Sequence, residues 1–398
     1  MNMRFNNAAI PAGMAWSSPF VKWQGSLSEV PSIDLAADVT GRALAARQVD
    51  PAQLDGLVLG WTTPQQDIFY GAPTLAARLG AGALSGPMIS QACATSVACL
   101  AAASAAVETG AGLQLVVATD RISNGPQILY PSPSAMGGSP VATNWVLESF
   151  ARDPAAGTSM LAAGELVAAE SRISRAELDE LTALRSDQYG KALADDRAFQ
   201  RRYMVEVQIP QRRKAPKVID ADEGVRPALL GEIAGLPPAS KDGLHTFASQ
   251  THPADGTAGA LVTTVEQARE MAGGEGVAQI LAAGFSRVAP SHMPQAPVPA
   301  AAAALAAAGL DIGQLDAVTT HNPFAVNDIY FSRQTGFPLE RMNSYGCSLI
   351  FGHPQGPTGL RSVTELIEEL RLRGGGTGLF TGCAAGDTGA AVVVRVTD

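Results

Sequence analysis

Cys93 closes the apolar stretch Pro87-Met88-Ile89-Ser90-Gln91-Ala92 and opens an alanine-rich run to Thr109. The pattern predicts a strand over 87–91 and a helix over 94–109, with the thiol at the first helical turn. There it faces unpaired backbone N–H groups and the positive end of the macrodipole. Both favour the thiolate, the nucleophilic form. A second cysteine, Cys383, and the turn Gly352-His353-Pro354 lie near the other end of the chain. A nucleophilic sulfur, an imidazole and a second thiol together imply acyl transfer through a cysteine thioester. Cys99, six positions into the helix, and Cys347 read as packing residues.

Strand and helix patterns alternate around these groups. In the first part, helices are expected over 33–48, 74–79 and 94–109, and strands over 54–60, 87–91 and 113–118. From about 120 to 245 the character changes. Pro, Gly and Ser dominate 124–140, a helix start follows at Ser174-Arg175-Ala176-Glu177, and the basic string Arg212-Arg213-Lys214 comes after. Alternation returns with strands over 280–285, 315–320, 378–381 and 390–396 and helices over 300–308 and 364–373. Leu54-Asp55-Gly56-Leu57-Val58 echoes Leu315-Asp316-Ala317-Val318-Thr319, and each half has a helix that ends in glycines before a strand. This implies a duplicated α/β architecture with parallel strands, and a site where the matching helix starts meet. The expected division is 1–120 as the first half, completed by about 247–270, then 121–246 as an inserted domain, and 271–398 as the second half.

Four blocks in order resemble the thiolases, the acetyl-CoA C-acyltransferases. They are Cys93 leading its helix; His321-Asn322-Pro323-Phe324-Ala325; Gly352-His353-Pro354-Gln355-Gly356-Pro357-Thr358-Gly359; and Cys383-Ala384-Ala385-Gly386-Asp387-Thr388-Gly389. Four more stretches extend the likeness over nearly the whole chain. Pro19-Phe20 through Gly25-Ser26-Leu27 is similar to the family's N-terminal motif. Asp222-Glu223, Arg226-Pro227 and Gly235-Leu236-Pro237-Pro238 are similar to the close of its loop domain, Ala254-Asp255-Gly256 to its Asn-Asp-Gly turn, and Pro297-Val298-Pro299-Ala300 to a helix start. The resemblance implies a thiolase fold, with two βαβαβαββ halves stacked as a five-layer αβαβα sandwich and a loop domain inserted between them. It implies Cys93 as acyl carrier, His353 as its activator and Cys383 as the proton-exchanging thiol. The backbone N–H of Ala385 would serve an oxyanion hole, and Thr251 and Arg226 would contact CoA.

His321 departs from the family's Asn-Glu-Ala-Phe motif, although some members, including the sterol-carrier type, also begin it with His. Thr251-His252-Pro253 stands where CoA-binding members have Ser-Gly. Asn322, Asp387 and His252 receive no role, His245 and His292 read as surface or loop residues, and Tyr130, Met136 and Trp145 are candidates for an acyl pocket. No metal or redox cofactor is implied, coenzyme A being a substrate. A homodimer or homotetramer is expected, with a small zinc- and OB-fold protein as an alternative partner of some His-type members. The rival readings are a condensing enzyme or retro-aldolase on the same fold, and a non-catalytic subunit.

Bulk composition agrees with an α/β enzyme. At 398 residues the chain exceeds one ordinary core, and 46% hydrophobic against 16% charged residues suits large buried sheets. A net charge of −9 argues against general nucleic-acid binding. No apolar stretch is long enough to span a bilayer, and no signal peptide is read. Four cysteines in a chain this long form no disulfide framework, which points to a reducing cytoplasm.

Overall fold

The computed structural model describes residues 1–397. Its first half runs β1 (Ala8–Pro11), α1 (Ser32–Ala46), β2 (Gly56–Gly60), α2 (Gly71–Arg78), β3 (Met88–Ile89), α3 (Thr95–Glu108) and β4 (Gln114–Arg121), and it is completed by β5 (Ala254–Thr264). The second half runs β6 (Val277–Arg287), α4 (Pro297–Ala308), β7 (Ala317–His321), α5 (Ala325–Thr335), α6 (Pro357–Leu372), β8 (Gly376–Ala384) and β9 (Thr388–Thr397). The pairing is the same in both. β2 lies parallel to β4, β4 antiparallel to β5, and β5 antiparallel to β1. Likewise β7 lies parallel to β8, β8 antiparallel to β9, and β9 antiparallel to β6. β3, which is parallel to β2, has a remnant counterpart in the parallel bridge between Val318 and Met342.

The echoed Asp55 and Asp316 explain why the repeat is visible in sequence. The carboxylate of Asp55 accepts from Leu113 N–H at 2.7 Å, and that of Asp316 accepts from Thr377 N–H at 2.7 Å. In each half the residue entering the parallel strand ties down the start of the next one. β1 pairs with both β5 and β6, so the two sheets are continuous across the seam.

Between the sheets lie α3 and α6. They share one hydrophobic cluster with strands of both halves, including Val97, Leu100, Val107, Leu360, Val363, Leu366, Val116 and Val392. α1 and α2 cover one outer face, and α4 and α5 cover the other. The layers are therefore αβαβα. Gly359 lets the central helices approach, since a Cβ there would lie 3.2 Å from Ser96 Cβ.

Several expected boundaries shift. α6 starts at Pro357, not 364, because proline at the first helical position gives up an N–H that would be unpaired anyway. α2 starts at Gly71, so that Pro73 falls inside its first turn, where its missing N–H would have had no partner within the helix. Ala254-Asp255-Gly256 is not a turn but the start of β5, paired with Lys22, Val21, Arg121 and Asp120.

The segment between β4 and β5 carries the hairpins Gln127–Tyr130/Val141–Asn144 and Val207–Gln211/Lys214–Ile219 and the helices Met160–Glu170 and Arg175–Arg197. Ser174 and Glu177 form a capping box at the start of the long helix, as the sequence signal predicts. This segment is locked to the core by charge. α6 is buried from Pro357 to Leu370 and yet carries Arg361, Glu365, Glu368 and Glu369. Arg361 makes a bidentate pair with Asp222 at 2.7 and 2.8 Å, bonds Glu365 at 3.1 Å, and lies between the rings of Phe20 and Phe351. Tyr203 donates to Glu365, and Tyr189 and Gln200 donate to Asp222. A buried guanidinium needs this full set of acceptors and ring faces to offset its lost hydration.

Removing Asp222 strands that charge. Asp222→Ala is expected to lower unfolding free energy by about 3–5 kcal/mol in equilibrium denaturation. Arg226→Ala, which breaks the exposed pair with Glu232, should cost less than about 1 kcal/mol.

Candidate active site

The Cys93 sulfur sits on a bend. Ala92 adopts φ +45°, unusual for a residue with a side chain, and α3 begins two residues after Cys93. Thr95 closes the bend. Its Oγ1 donates to Ala92 O at 2.7 Å and accepts from Gln91 N–H at 2.9 Å. Cys99 packs beneath this turn against Gly60, in the core as expected.

The second half supplies what faces the sulfur. His353 Nε2 lies 3.1 Å from Cys93 Sγ, and Gln355 Oε1 lies 3.3 Å from it. His353 Nδ1 is 2.6 Å from Thr358 Oγ1, in the first turn of α6. The Gly356 peptide is held from the first half, its N–H by Asp120 at 2.9 Å and its carbonyl by the Ser96 hydroxyl. Asp120 also accepts from Thr62 N–H, Thr62 Oγ1 and Thr63 N–H, at 2.8 to 2.9 Å. The starts of α3 and α6 are thus tied together, and that brings sulfur and imidazole into contact.

His321 ends β7 and lies over His353, with ring centroids 4.1 Å apart and planes 30° apart. Its Nδ1 is 2.8 Å from Ser348 Oγ. Cys383, near the end of β8, is buried and accepts from Asn327 Nδ2 at 3.2 Å. The backbone N–H groups of Ala385 and of Cys93 itself lie near enough to the Cys93 sulfur to favour its anion. Cys93, His321 and His353 offer ligand atoms within 4.8 Å of one another. Of these atoms, His353 Nε2 is already engaged with the Cys93 sulfur at 3.1 Å.

Burial sets the charge state. It pushes the Cys93 thiol up to about 12, although the Ala385 and Cys93 N–H groups pull the other way. The expected resting thiolate is therefore corrected. Desolvation outweighs the pull of the helix start and its N–H groups, although Cys93 is only partly buried. Burial likewise holds His353 well below the usual imidazole range, takes His321 down to about 3, and raises Cys383 well above the usual thiol range. The site is a neutral thiol beside a neutral imidazole.

Four of the expected residues, Cys93, His321, His353 and Cys383, converge, and the Ala385 N–H joins them. Thr251 lies alongside. Its N–H donates to Pro323 O, its Oγ1 donates to Ser348 O, and the bridges Gln250–Phe324 and Pro253–His353 flank it. His252 packs on Gly352, where a Cβ would come within 2.7 Å of its Nε2. Asn322 Nδ2 donates to Asp328 at 2.7 Å, and Asp387 at φ +58° shapes the turn that carries Ala385. Arg226 is apart from this group, exposed and paired with Glu232, beside a cleft lined by Gly190, Lys191, Pro227 and Leu229. Tyr130 and Met136 do not line a pocket in this chain but are exposed on a hairpin. His245 is not a surface residue. It is fully buried against Phe324, near Glu165. Gln355, Thr358, Asp120, Asn327 and Ser348 were missed. The first two lie inside a recognisable block, whereas no spacing marks the other three.

The chain matches the family models "Thiolase, N-terminal domain" over residues 14–266 and "Thiolase, C-terminal domain" over 275–396. It is 28% identical over 389 residues to mitochondrial 3-ketoacyl-CoA thiolase of Homo sapiens, covering 96% of each chain. It is 29% identical to acetyl-CoA acetyltransferase of Escherichia coli (strain K12), covering 94% of this chain and 95% of the other. The crystal structure of the Bacillus anthracis acetyl-CoA acetyltransferase superposes with a TM-score of 0.90 at 26% identity, covering 99% of both chains. That of human mitochondrial 3-ketoacyl-CoA thiolase in complex with CoA gives 0.89 at 24% identity, covering 98% of both.

Because the thiol rests protonated, His353→Ala is expected to slow iodoacetamide alkylation of Cys93 at pH 7.5 by at least ~10-fold, read by peptide mass spectrometry. Asp120 supplies a stability test. Burial raises its carboxyl from 3.8 to about 7 despite four bonds to it. The folded state then binds the extra proton between those values, so Asp120 contributes stability below pH 3.8 that is lost as pH rises through about 7. Asp120→Asn should flatten the decline between these limits in denaturation midpoints.

Proposed function

Because the chain belongs to the thiolase family, we propose that it cleaves a 3-ketoacyl-CoA with CoA to give acyl-CoA and acetyl-CoA, or runs the reverse condensation, through an acyl-Cys93 intermediate. One observation carries this reading, the 3.1 Å approach of Cys93 Sγ to His353 Nε2 with the Cys383 thiol buried nearby. Cys93 Sγ attacks the 3-keto carbon as its proton passes to His353 Nε2. The bond between C2 and C3 breaks, the Cys383 S–H protonates C2, and acetyl-CoA leaves. Free CoA then gives its thiol proton to the Cys383 thiolate and attacks the acyl-Cys93 thioester. Acyl-CoA departs, and the Cys93 sulfur recovers its proton from His353. Atoms and charge balance, and no metal or redox group takes part.

A thioester nucleophile suits this exchange because acyl-Cys93 keeps the energy of the substrate thioester. The Ala385 and Cys93 N–H groups stabilise one developing oxyanion, and His321 with His353 the other. In this reading the chain is a variant in which His321-Asn322-Pro323-Phe324 stands for the family's Asn-Glu-Ala-Phe. The segment 121–246 is the loop domain that receives CoA, with Arg226 at the rim of its cleft and Thr251 near the pantetheine arm. The reading carries a cytoplasmic setting and a homodimer or homotetramer. Turnover by the purified chain alone would dispense with a zinc- and OB-fold partner.

Intact-mass measurement tests the proposal. Incubation with acetyl-CoA or acetoacetyl-CoA should add ~42 Da, one acetyl group, to the wild type and nothing to Cys93→Ala. Unmodified wild-type protein after exposure to short, long and aromatic thioesters would overturn it.

A further inference from the structure

We propose that Ser348 is a positioning residue. It holds His321 as the Nε2–H tautomer, so that this imidazole donates a hydrogen bond directly to the thioester oxygen of the acetyl-CoA unit. The inference deepens the thiolase reading above, in which that oxygen gains negative charge as the bond between C2 and C3 breaks.

His321 is buried. Its Nδ1 has one partner, Ser348 Oγ at 2.8 Å, and its Nε2 has none among the described residues. The tautomer therefore depends on where the single hydroxyl proton of Ser348 points. Asn322 N–H donates to Ser348 Oγ at 3.3 Å and occupies one lone pair. The proton can go to His321 Nδ1 at 2.8 Å or to Asn322 Oδ1 at 3.3 Å. The Asn322 amide is fixed, because its Nδ2 donates to Asp328 at 2.7 Å, and its Oδ1 already accepts from Leu349 N–H at 3.2 Å. The shorter contact and the otherwise unfilled acceptor both favour Nδ1. The ring proton of His321 then sits on Nε2.

The neighbouring imidazole favours the same assignment. His353 Nε2 must accept the Cys93 S–H, so its ring proton is on Nδ1, facing Thr358 Oγ1. A second bare Nε2 lone pair on the ring stacked at 4.1 Å would set two acceptors together in a dry pocket. An N–H there avoids this. Of two stacked rings that look alike, one accepts the thiol proton and the other donates to oxygen.

The chain has five histidines, few enough for long-range 1H–15N correlation spectra of protein labelled with 15N-histidine. His321→Asn would identify the His321 peaks. The expected wild-type pattern is a neutral ring protonated at Nε2, and a ring protonated at Nδ1 overturns the proposal. In Ser348→Ala the preference should be lost and kcat should fall by ~10²-fold with KM within about threefold, as for loss of one oxyanion-hole donor. Ser348→Thr, which restores the hydroxyl, should recover both. An unchanged Nε2–H pattern in Ser348→Ala would remove Ser348 from the role. The wild-type spectrum needs no substitution at 348, so a failure of Ser348→Ala to fold leaves the proposal open to refutation. The spectra are recorded on free enzyme. Absence of acyl transfer with an Nε2–H ring counts against the thiolase reading alone, and transfer with an Nδ1–H ring counts against this inference alone.

Discussion

A helix with every residue from Pro357 to Leu370 buried is costly unless its charged groups find partners inside the protein. This requirement organises the molecule. The apolar side chains of α6 meet α3 and both sheets. Its charged side chains recruit Asp222, Tyr203 and Arg202 from the inserted segment. The peptide that leads into it, at Gly356, is held by Asp120 and Ser96 of the other half. With both the start and the middle of the helix fixed in this way, the turn that carries His353 has little freedom, and Cys93 meets it across the seam of the duplication.

The same burial decides how the site handles charge. Cys93, His353, His321 and Cys383 are all driven toward their neutral forms by desolvation. A resting ion pair would have to overcome that desolvation. In the proposed reaction the N–H groups of Ala385 and Cys93, which pull the Cys93 thiol down, would serve the charge that arises during turnover. A preorganised set of this kind stabilises a transient anion more than a resting one. Asp120 is a different case. It sits at the site but spends its carboxylate on Thr62, Thr63 and Gly356, so its function is to clamp the two halves.

His321 and the segment Thr251-His252-Pro253 fit this frame. His321 stacks on His353 at the end of β7, and its Nδ1 lies 2.8 Å from Ser348 Oγ. Thr251-His252-Pro253 runs beside both the His321 and His353 segments. His252 fills the space next to Gly352, a residue at φ +93° that leads directly into His353.

The duplicated α/β order, most elements, and the reacting groups at two helix starts were legible in the sequence. Each rests on local signals: period, punctuation by Gly and Pro, and the repeated Leu-Asp motif whose aspartate caps the next strand. The segments flanking Gly and Pro were misjudged, as at Pro357 and at Ala254-Asp255-Gly256, because only the neighbouring strand or helix decides whether such residues begin an element or turn. The tertiary structure alone decided the roles of Asp120, Asn327 and Ser348, the burial of His245, and the exposure of Tyr130 and Met136. It also reversed the expected charge on Cys93. A helix start acts on a thiol through nearby bonds that a sequence displays, whereas desolvation is the sum of everything packed around it and exists only once the chain has folded.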